Sequence, residues 1–358
     1  MEIKLVGAKE QAAFNEYVAA QGGDLLQSYQ WGEIKSRTGW EPIRFAVLEG
    51  GRIKGTMAIL KRELPGIKAP IFYAPRGPVL DFKDQRTFDF LLEQVAQLAR
   101  REGALFLKID PPVPSHRRDI HQILLKRNFL HLDKGPNFEG IQPRFVMQLD
   151  ITPGEGQLLA EMKAKTRYNI RYGQRKGVRI KESCTKADLA VFYQILLETA
   201  ERDNFQVRSY DYFQLLWDYL VPPGLGKLFM ASYEGEYIAG AFLFRLGATA
   251  WYVYGASANH NRNVMPNYVL QWAMIRWAQR HRCRIYDFRG VSGEDDPANP
   301  LYGLYKFKTG FGAQRIEYLG EYDLVYRPLL YGLWRRTEPW HKELLRLRDR
   351  FLSSRKGE

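Results

Sequence analysis

Cysteine is scarce: Cys184 and Cys283 are the only two in 358 residues, and they form no C-x-x-C pair. That excludes a disulfide framework and a cysteine-rich zinc fold, and it suits a reducing compartment. HExxH, a Walker loop and a strand–GxGxxG–helix signature are also missing. His116 and His121 flank Asp119, a weak metal spacing that reads as two surface imidazoles. No metal and no cofactor is expected. Long uninterrupted apolar runs are absent too. Tyr237 to Ser257 is broken by Arg245 and punctuated by Gly240, Gly247 and Gly255, and its aromatics suit strands better than a membrane helix. The start, Met1-Glu2-Ile3-Lys4-Leu5, carries no apolar signal segment. A cytoplasmic location is expected, with peripheral contact at the inner membrane face left open.

What the chain has in excess is positive charge. Its 53 Lys and Arg against 40 Asp and Glu give +13. Such an excess suits nucleic acid, nucleotide phosphates or an acidic membrane face, and equally a plain basic surface; it does not choose among them. Hydrophobic residues make up 45%, enough for full cores. The length suits two domains of roughly 150 residues each.

Two stretches of the chain match each other. Glu-Gly-x-x-Ile-x-Gly occurs at Glu49–Gly55 and again at Glu234–Gly240, each time between apolar runs. Glycine supplies the positive φ of a tight turn, so the spacing predicts a β-hairpin twice. A strand follows each hairpin (Pro70–Leu80, Ala248–Ser257), then a helix (around Phe88–Ala99 and Tyr268–Trp277), then a closing strand (Leu105–Asp110, Ile285–Phe288). Helices are expected before the hairpins, around Gln11–Ala20 and Asp188–Arg202. The repeated order predicts an α/β protein with mixed sheets, built from two tandem units. Thr152-Pro153-Gly154 reads as a linker. The first unit is therefore expected over 1–150 and the second over 151–319. A strand at Tyr322–Tyr326 and a helix from about Tyr331, within 320–358, would complete the first unit. From Gly332 onward the tail holds eight Lys/Arg and four Asp/Glu, and a docked helix is its expected form.

This element order resembles the acetyltransferase-like fold of the GNAT superfamily. Several strings extend the resemblance to the Fem (FemABX) family. They are Leu26-Gln27-Ser28-Tyr29-Gln30-Trp31-Gly32, Tyr73-Ala74-Pro75-Arg76-Gly77-Pro78, Lys165-Thr166-Arg167-Tyr168-Asn169, Tyr254-Gly255-Ala256-Ser257 and Gly303-Leu304-Tyr305-Lys306-Phe307-Lys308. The resemblance runs from Leu26 to about Pro328 and leaves no room for the long helical-hairpin insertion of some members. It implies an aminoacyltransferase that moves an amino acid from aminoacyl-tRNA to an amino group of a peptidoglycan stem peptide. The acceptor would be UDP-MurNAc-pentapeptide or lipid II, and the product an interpeptide bridge or branch.

The ester donor is already activated, so positioning, proton transfer and oxyanion stabilisation suffice. The resemblance points to Phe307 and Lys308 as the chemical centre, with the Lys308 ammonium beside the reacting carbonyl. Read alone, Lys308 is better explained as neutralising a carboxylate such as Glu321, and the resemblance reverses that reading. Strand alternation would put Lys306 on the same face. Lys35 and Arg208, one from each half, are the implied grips on a diphosphate. Tyr212, Tyr254 and Arg76 are expected to line the substrate. Asp110 either accepts a proton from the attacking amine or caps a strand-end turn, and Asp287 at the matching place in the second unit favours the turn. Glu161 to Lys181 carries eight bases and one acid. Its expected inner stripe is Leu158, Leu159, Met162, Thr166, Asn169, Ile170 and Gly173, with Gly177 as the stop. Its outer bases Lys163, Lys165, Arg167, Arg171, Arg175 and Lys176 are expected to track tRNA phosphates. Two rivals share these features. One is an acyl-CoA N-acyltransferase, whose pyrophosphate loop Gln174–Arg179 distantly resembles, with Arg179 in place of a required small residue. The other is a non-catalytic basic protein that binds RNA or a membrane surface.

Overall fold

Both Glu-Gly stretches form hairpins in the computed structural model, which describes residues 1–64 and 67–336. The first sheet begins at its edge with β1 (Glu2–Leu5). Beside it stands the hairpin of β2 (Glu41–Glu49) and β3 (Arg52–Leu64), turned by Gly50 and Gly51 at φ +56° and +74°. Then come β4 (Ile67–Ala74), the short β5 (Val79–Leu80) against β3, β6 (Phe106–Ile109) parallel to β4, and β7 (Phe129–Leu132) at the far edge. The second sheet holds β8 (Phe145–Asp150), β9 (Arg179–Lys181) and the hairpin of β10 (Gly226–Tyr233) and β11 (Glu236–Leu246). Glu234 and Gly235 turn that hairpin at φ +51° and +85°. It continues with β12 (Thr249–Ser257), β13 (Ile285–Gly290) parallel to β12, and β14 (Gln314–Glu317). Finally β15 (Glu321–Val325) returns to the first sheet, between β6 and β7.

The strand orders β1-β2-β3-β4-β6-β15-β7 and β9-β10-β11-β12-β13-β8-β14 correspond slot for slot. Even an irregularity repeats: a bulge follows Val47 in the first hairpin and Ala231 in the second. Two consecutive residues of positive φ are what a two-residue hairpin turn needs to match strand twist. Strand β8 pairs with β13 and β14. The second sheet therefore starts at Phe145 rather than after residue 150. A buried strand of this kind carries no mark of which sheet it joins, and the Pro-Gly linker signal falls behind it.

Helices α1 (Gln11–Ala20) and α2 (Tyr29–Ser36) lie on the inner side of the first sheet, and α3 (Gln85–Glu102) and α4 (Arg118–Leu125) on its outer side. The start and stop of α3 follow from local chemistry. Asp84 accepts the Thr87 amide at 3.1 Å, and Gly103 ends the helix at φ +66°. In the second unit, α5 (Glu155–Glu161) and α6 (Ala164–Lys176) pack outside; α7 (Lys186–Asp203) and α8 (Tyr210–Leu220) pack inside; α9 (Pro266–Arg280) returns outside. Helix α10 (Tyr302–Gly310) links β13 to β14. Residues 328–336 are helical. The rest of the expected tail helix, with Leu344, Leu345 and Leu347, lies outside the described residues.

The inner helices form one core across the two units. Phe14, Val18, Leu26, Trp31 and Ile34 pack in the same cluster as Leu189, Phe192, Phe213, Phe244 and Trp251. At roughly 1.5–3 kcal/mol for each large apolar side chain buried, that seam holds the units together as a core does. Any site at the seam is therefore built by both halves at once.

Candidate active site

Lys308 sits in the last turn of α10 and is 3% exposed. The segment is helical, so the strand alternation expected for it does not apply. In a helix, positions two apart point to nearly opposite sides, and Lys306 is exposed while Lys308 is buried. Nor does Lys308 meet Glu321. Its Nζ donates to the backbone carbonyls of Gly290 at 2.7 Å and Arg289 at 3.3 Å. Burial pushes its pKa down to about 7, opposed by the charge of Asp287 and reinforced by Arg289. Phe307, its predicted partner, packs edge-on against Tyr268 at 5.1 Å and Phe311 at 5.3 Å.

Around Lys308 a polar chain crosses the seam. Arg289, with φ +61°, donates its amide to Asp287 at 2.6 Å, and its guanidinium reaches Asp24 of the first half at 3.0 Å. Asp24 also caps the turn before α2 by accepting the Leu26 amide. The Gln148 amide donates to Asp287 at 3.0 Å and to the Tyr318 hydroxyl at 2.8 Å. Burial pushes the Asp287 carboxyl pKa up, against the pull of Arg289. Sequence reasoning missed the Asp24–Arg289 pair. Nothing in either string links two residues so far apart.

Helix α2 joins this region to a second one. Lys35 lies in its last turn, and eight helical residues span roughly 12 Å. Its Nζ is 3.4 Å from the Tyr212 hydroxyl and 4.6 Å from the centre of the Trp31 ring. Arg208 also stands over the Tyr212 ring, at 5.9 Å. The hydroxyls of Tyr212 and Tyr254 face each other, and Tyr254 packs on Phe213 at 4.9 Å. The structure thus brings Lys35, Arg208, Tyr212 and Tyr254 together from both halves. Burial, then the nearby charges of Arg208 and Arg62, push the Lys35 pKa down to about 8. Neither Lys35 nor Arg208 meets a carboxylate among the described residues. Three cations that meet no acid among the described residues form a place that an anion would stabilise. Arg62 was not anticipated from the sequence.

Asp110 and Arg76 have a different setting. The carboxylate of Asp110 accepts the Arg76 amide at 2.6 Å and the Tyr73 hydroxyl at 3.0 Å. Both its oxygens are occupied, and burial pushes its pKa up to about 6. It holds the turn at Arg76, where φ is +56°, much as Asp287 holds Arg289. Arg76, expected to line substrate, is 2% exposed. Its guanidinium reaches the carbonyl of Pro143 at 2.7 Å and lies 5.0 Å from the Tyr318 ring. A cavity of about 230 Å³ is lined by Arg76, Pro78, Phe82, Pro112 and Arg117, and neither Lys308 nor Lys35 lines it.

The basic segment is two helices. The chain is extended at Met162 and Lys163, and the Lys163 amide donates to the Gly310 carbonyl at 2.9 Å. Arg167 turns inward onto the carbonyls of Ala160 and Met162 at the end of α5. That separates it from the outer bases. Lys163, Lys165, Arg171, Arg175 and Lys176 are exposed, and Gly177 ends α6 at φ +98°.

A hairpin, a parallel strand pair and a seam shared by two such units define a tandem GNAT-like fold. A tandem GNAT protein from the clavulanic acid biosynthesis pathway shares this fold, with a TM-score of 0.53 at 14% identity over 90% of this chain and 98% of that one. The chain belongs to the FemAB family, whose model matches residues 9–221 and 225–338. The crystal structure of FemX matches with a TM-score of 0.87 and 26% identity, covering 93% of this chain and 99% of that one. Lipid II:glycine glycyltransferase of Staphylococcus haemolyticus (strain JCSC1435) is 28% identical over 406 aligned residues, 95% of this chain and 96% of that protein. The protein of the same name from Staphylococcus aureus (strain MRSA252) is 28% identical over 386, 88% of this chain and 91% of that one. Both alignments are longer than this chain, so these relatives carry insertions that it lacks. Family and relatives together make the chain an aminoacyltransferase.

Proposed function

We propose that the protein transfers an amino acid from aminoacyl-tRNA to an amino group of a diphosphate-linked peptidoglycan stem peptide. The acceptor is UDP-MurNAc-pentapeptide or lipid II, and the relatives' names favour the lipid-linked form. The work is done in the cytoplasm, at the inner membrane face when the acceptor is lipid-linked. One observation carries the reading: Lys35 and Arg208 arrive from opposite halves, unpaired with any described acid, against the same tyrosine. Arg suits a bidentate grip on phosphate, and Lys adds a point charge. A diphosphate held there directs the rest of the acceptor along the seam.

Lys308 supplies the proton chemistry. Its pKa of about 7 leaves much of the amine neutral near neutral pH. The acceptor nitrogen attacks the ester carbonyl, and its proton passes to the Lys308 Nζ. The new ammonium then stands against the oxyanion, where a fixed charge in a buried site has its greatest effect. On collapse, the C–O bond to the ribose breaks and the proton goes to the departing ribose oxygen. The amide is formed and Lys308 is neutral again.

The test is direct. Purified protein, tRNA charged with labelled amino acids, and each acceptor are mixed, and label in the muropeptide is counted. No transfer with any amino acid and either acceptor would sink the reading.

A further inference from the structure

Helix α6 presents a surface that phosphate contacts alone do not explain. Lys165, Tyr168, Tyr172 and Lys176 recur at three- and four-residue spacing, so they share one side of the helix. Tyr168 is 57% exposed. Its ring lies nearly parallel to that of Tyr172, with centroids 5.7 Å apart and planes 22° from parallel. The Lys176 Nζ stands 5.6 Å from the Tyr172 ring. Arg171 and Arg175 flank this stripe, exposed. These cations meet no carboxylate among the described residues, whereas Arg117, Lys186, Arg276 and Arg280 elsewhere on the surface each do.

A solvated basic helix needs no aromatic pair on its wet side. A duplex would use the cations and leave the rings idle. Single-stranded nucleic acid uses both, because bases stack on rings while phosphates meet Lys and Arg. We propose that Tyr168 and Tyr172 form a stacking platform for the unpaired bases at the 3′ end of the donor RNA. Lys165, Arg171, Arg175 and Lys176 neutralise its phosphates. The proposal rests on the RNA-donor reading above and deepens it.

The platform's place in the fold supports this use. Helix α6 begins where α10 ends, at the bond from the Lys163 amide to the Gly310 carbonyl. The contact is close: a Cβ added to Gly310 would clash with the Thr166 hydroxyl. Lys308 is in the turn that ends there. Tyr168 is five residues past Lys163, roughly 8 Å along the helix. A strand laid on α6 from its C-terminal end therefore runs towards the helix that carries the reactive lysine.

The experiment measures binding of deacylated tRNA by fluorescence anisotropy. It uses wild type, Tyr168→Ala, Tyr168→Phe and Arg171→Ala, with matched thermal melts. The comparison ligands are the same tRNA trimmed of its unpaired 3′ nucleotides and vesicles of phosphatidylglycerol. Tyr168→Ala should weaken intact tRNA by about 5- to 100-fold and leave the trimmed tRNA unaffected, while Tyr168→Phe keeps wild-type affinity. Arg171→Ala should reduce the steepness of the salt dependence by about 0.7 in log–log slope. If wild type binds intact tRNA and Tyr168→Ala binds it equally well, the platform is wrong and the donor reading stands. If wild type binds no tRNA, the donor reading fails and takes the platform with it. Loss of vesicle binding without loss of tRNA binding would assign the tyrosines to a membrane and overturn the proposal.

Discussion

Among the described residues each unit buries one lysine, and the two lysines are opposites. Lys108, on β6 of the first unit, meets Glu321 at 3.1 Å and Asp323 at 2.7 Å, both on β15. Burial works against its charge, but the two carboxylates more than offset this, and its pKa is raised. Lys308, on α10 of the second unit, hydrogen-bonds only to carbonyls among the described residues, and burial lowers its pKa to about 7. The scaffolds correspond strand for strand, and the helices between matching strands differ in what they bury. Helix α4 buries Ile120 and Leu124, whereas α10 buries Lys308. One copy uses a buried charge to fasten the strand that returns from the chain's end. The other leaves a buried amine underpaired, which is the state a proton carrier needs.

The largest expected effect separates these two lysines. Lys308→Met should lower transfer by about 100- to 1,000-fold, as loss of a preorganised transition-state partner does, with the fold intact. Lys108→Met should do the reverse. It strands Glu321 and Asp323 without their cation and costs about 3–5 kcal/mol of stability, while the molecules still folded keep their activity. Turnover per folded molecule and thermal melts read both. The pH dependence sharpens the contrast. Between about pH 7 and the ordinary lysine value, the unfolded chain holds a proton that folded Lys308 has lost. Stability contributed by this group therefore rises with pH across that window, and Lys308→Met should flatten the rise. The rate should climb with pH through about 7 in wild type, and Lys308→Arg, which stays charged, should lose that limb.

Next comes the site that both halves build together. Lys35→Ala and Arg208→Ala should each raise KM for the diphosphate acceptor by about 10- to 100-fold, with kcat changed far less, since each removes a charged contact present before and during reaction. A truncated acceptor without its diphosphate should be indifferent to both changes. If the variants lower kcat and leave KM alone, the cations belong to the chemistry and the division between the two regions collapses.

Much of this was legible in the sequence, though not always for the right reason. The repeat was visible because Glu-Gly-x-x-Ile-x-Gly occurs twice, yet the string is one residue out of phase with the backbone. The strings align Glu49 with Glu234, whereas the matching bulges align Val47 with Ala231. The element order, not the identity, was the sound signal. Lys35, Arg208, Tyr212 and Tyr254 were found by resemblance and are brought together by the fold. Arg62 and the Asp24–Arg289 pair were not, because their meaning comes from tertiary neighbours. Phe145–Asp150 was assigned to the wrong side of the boundary, since an apolar strand does not say which sheet it completes. The segment around Lys308 was read with a period of two; its short run of aromatics and lysines fits either period, and the structure gives it the helical one.

The smallest effects bear on the carboxylates and on that misread segment. Asp110→Asn keeps shape and still accepts the Tyr73 hydroxyl or the Arg76 amide, so transfer should fall by less than about tenfold; loss of a general base would cost about 100- to 10,000-fold. Asp287→Asn should cost more than Asp110→Asn, because Asp287 sets the field at Lys308 and Asp110 does not. Its signature is a downward move of the rate's pH midpoint, since the carboxylate now holds the lysine proton. Lys306→Ala should change turnover by less than about twofold, within the range of a solvated surface substitution. If Lys306 mattered as much as Lys308, the two would have to share a face, and α10 would have to unwind into the strand its sequence also permits.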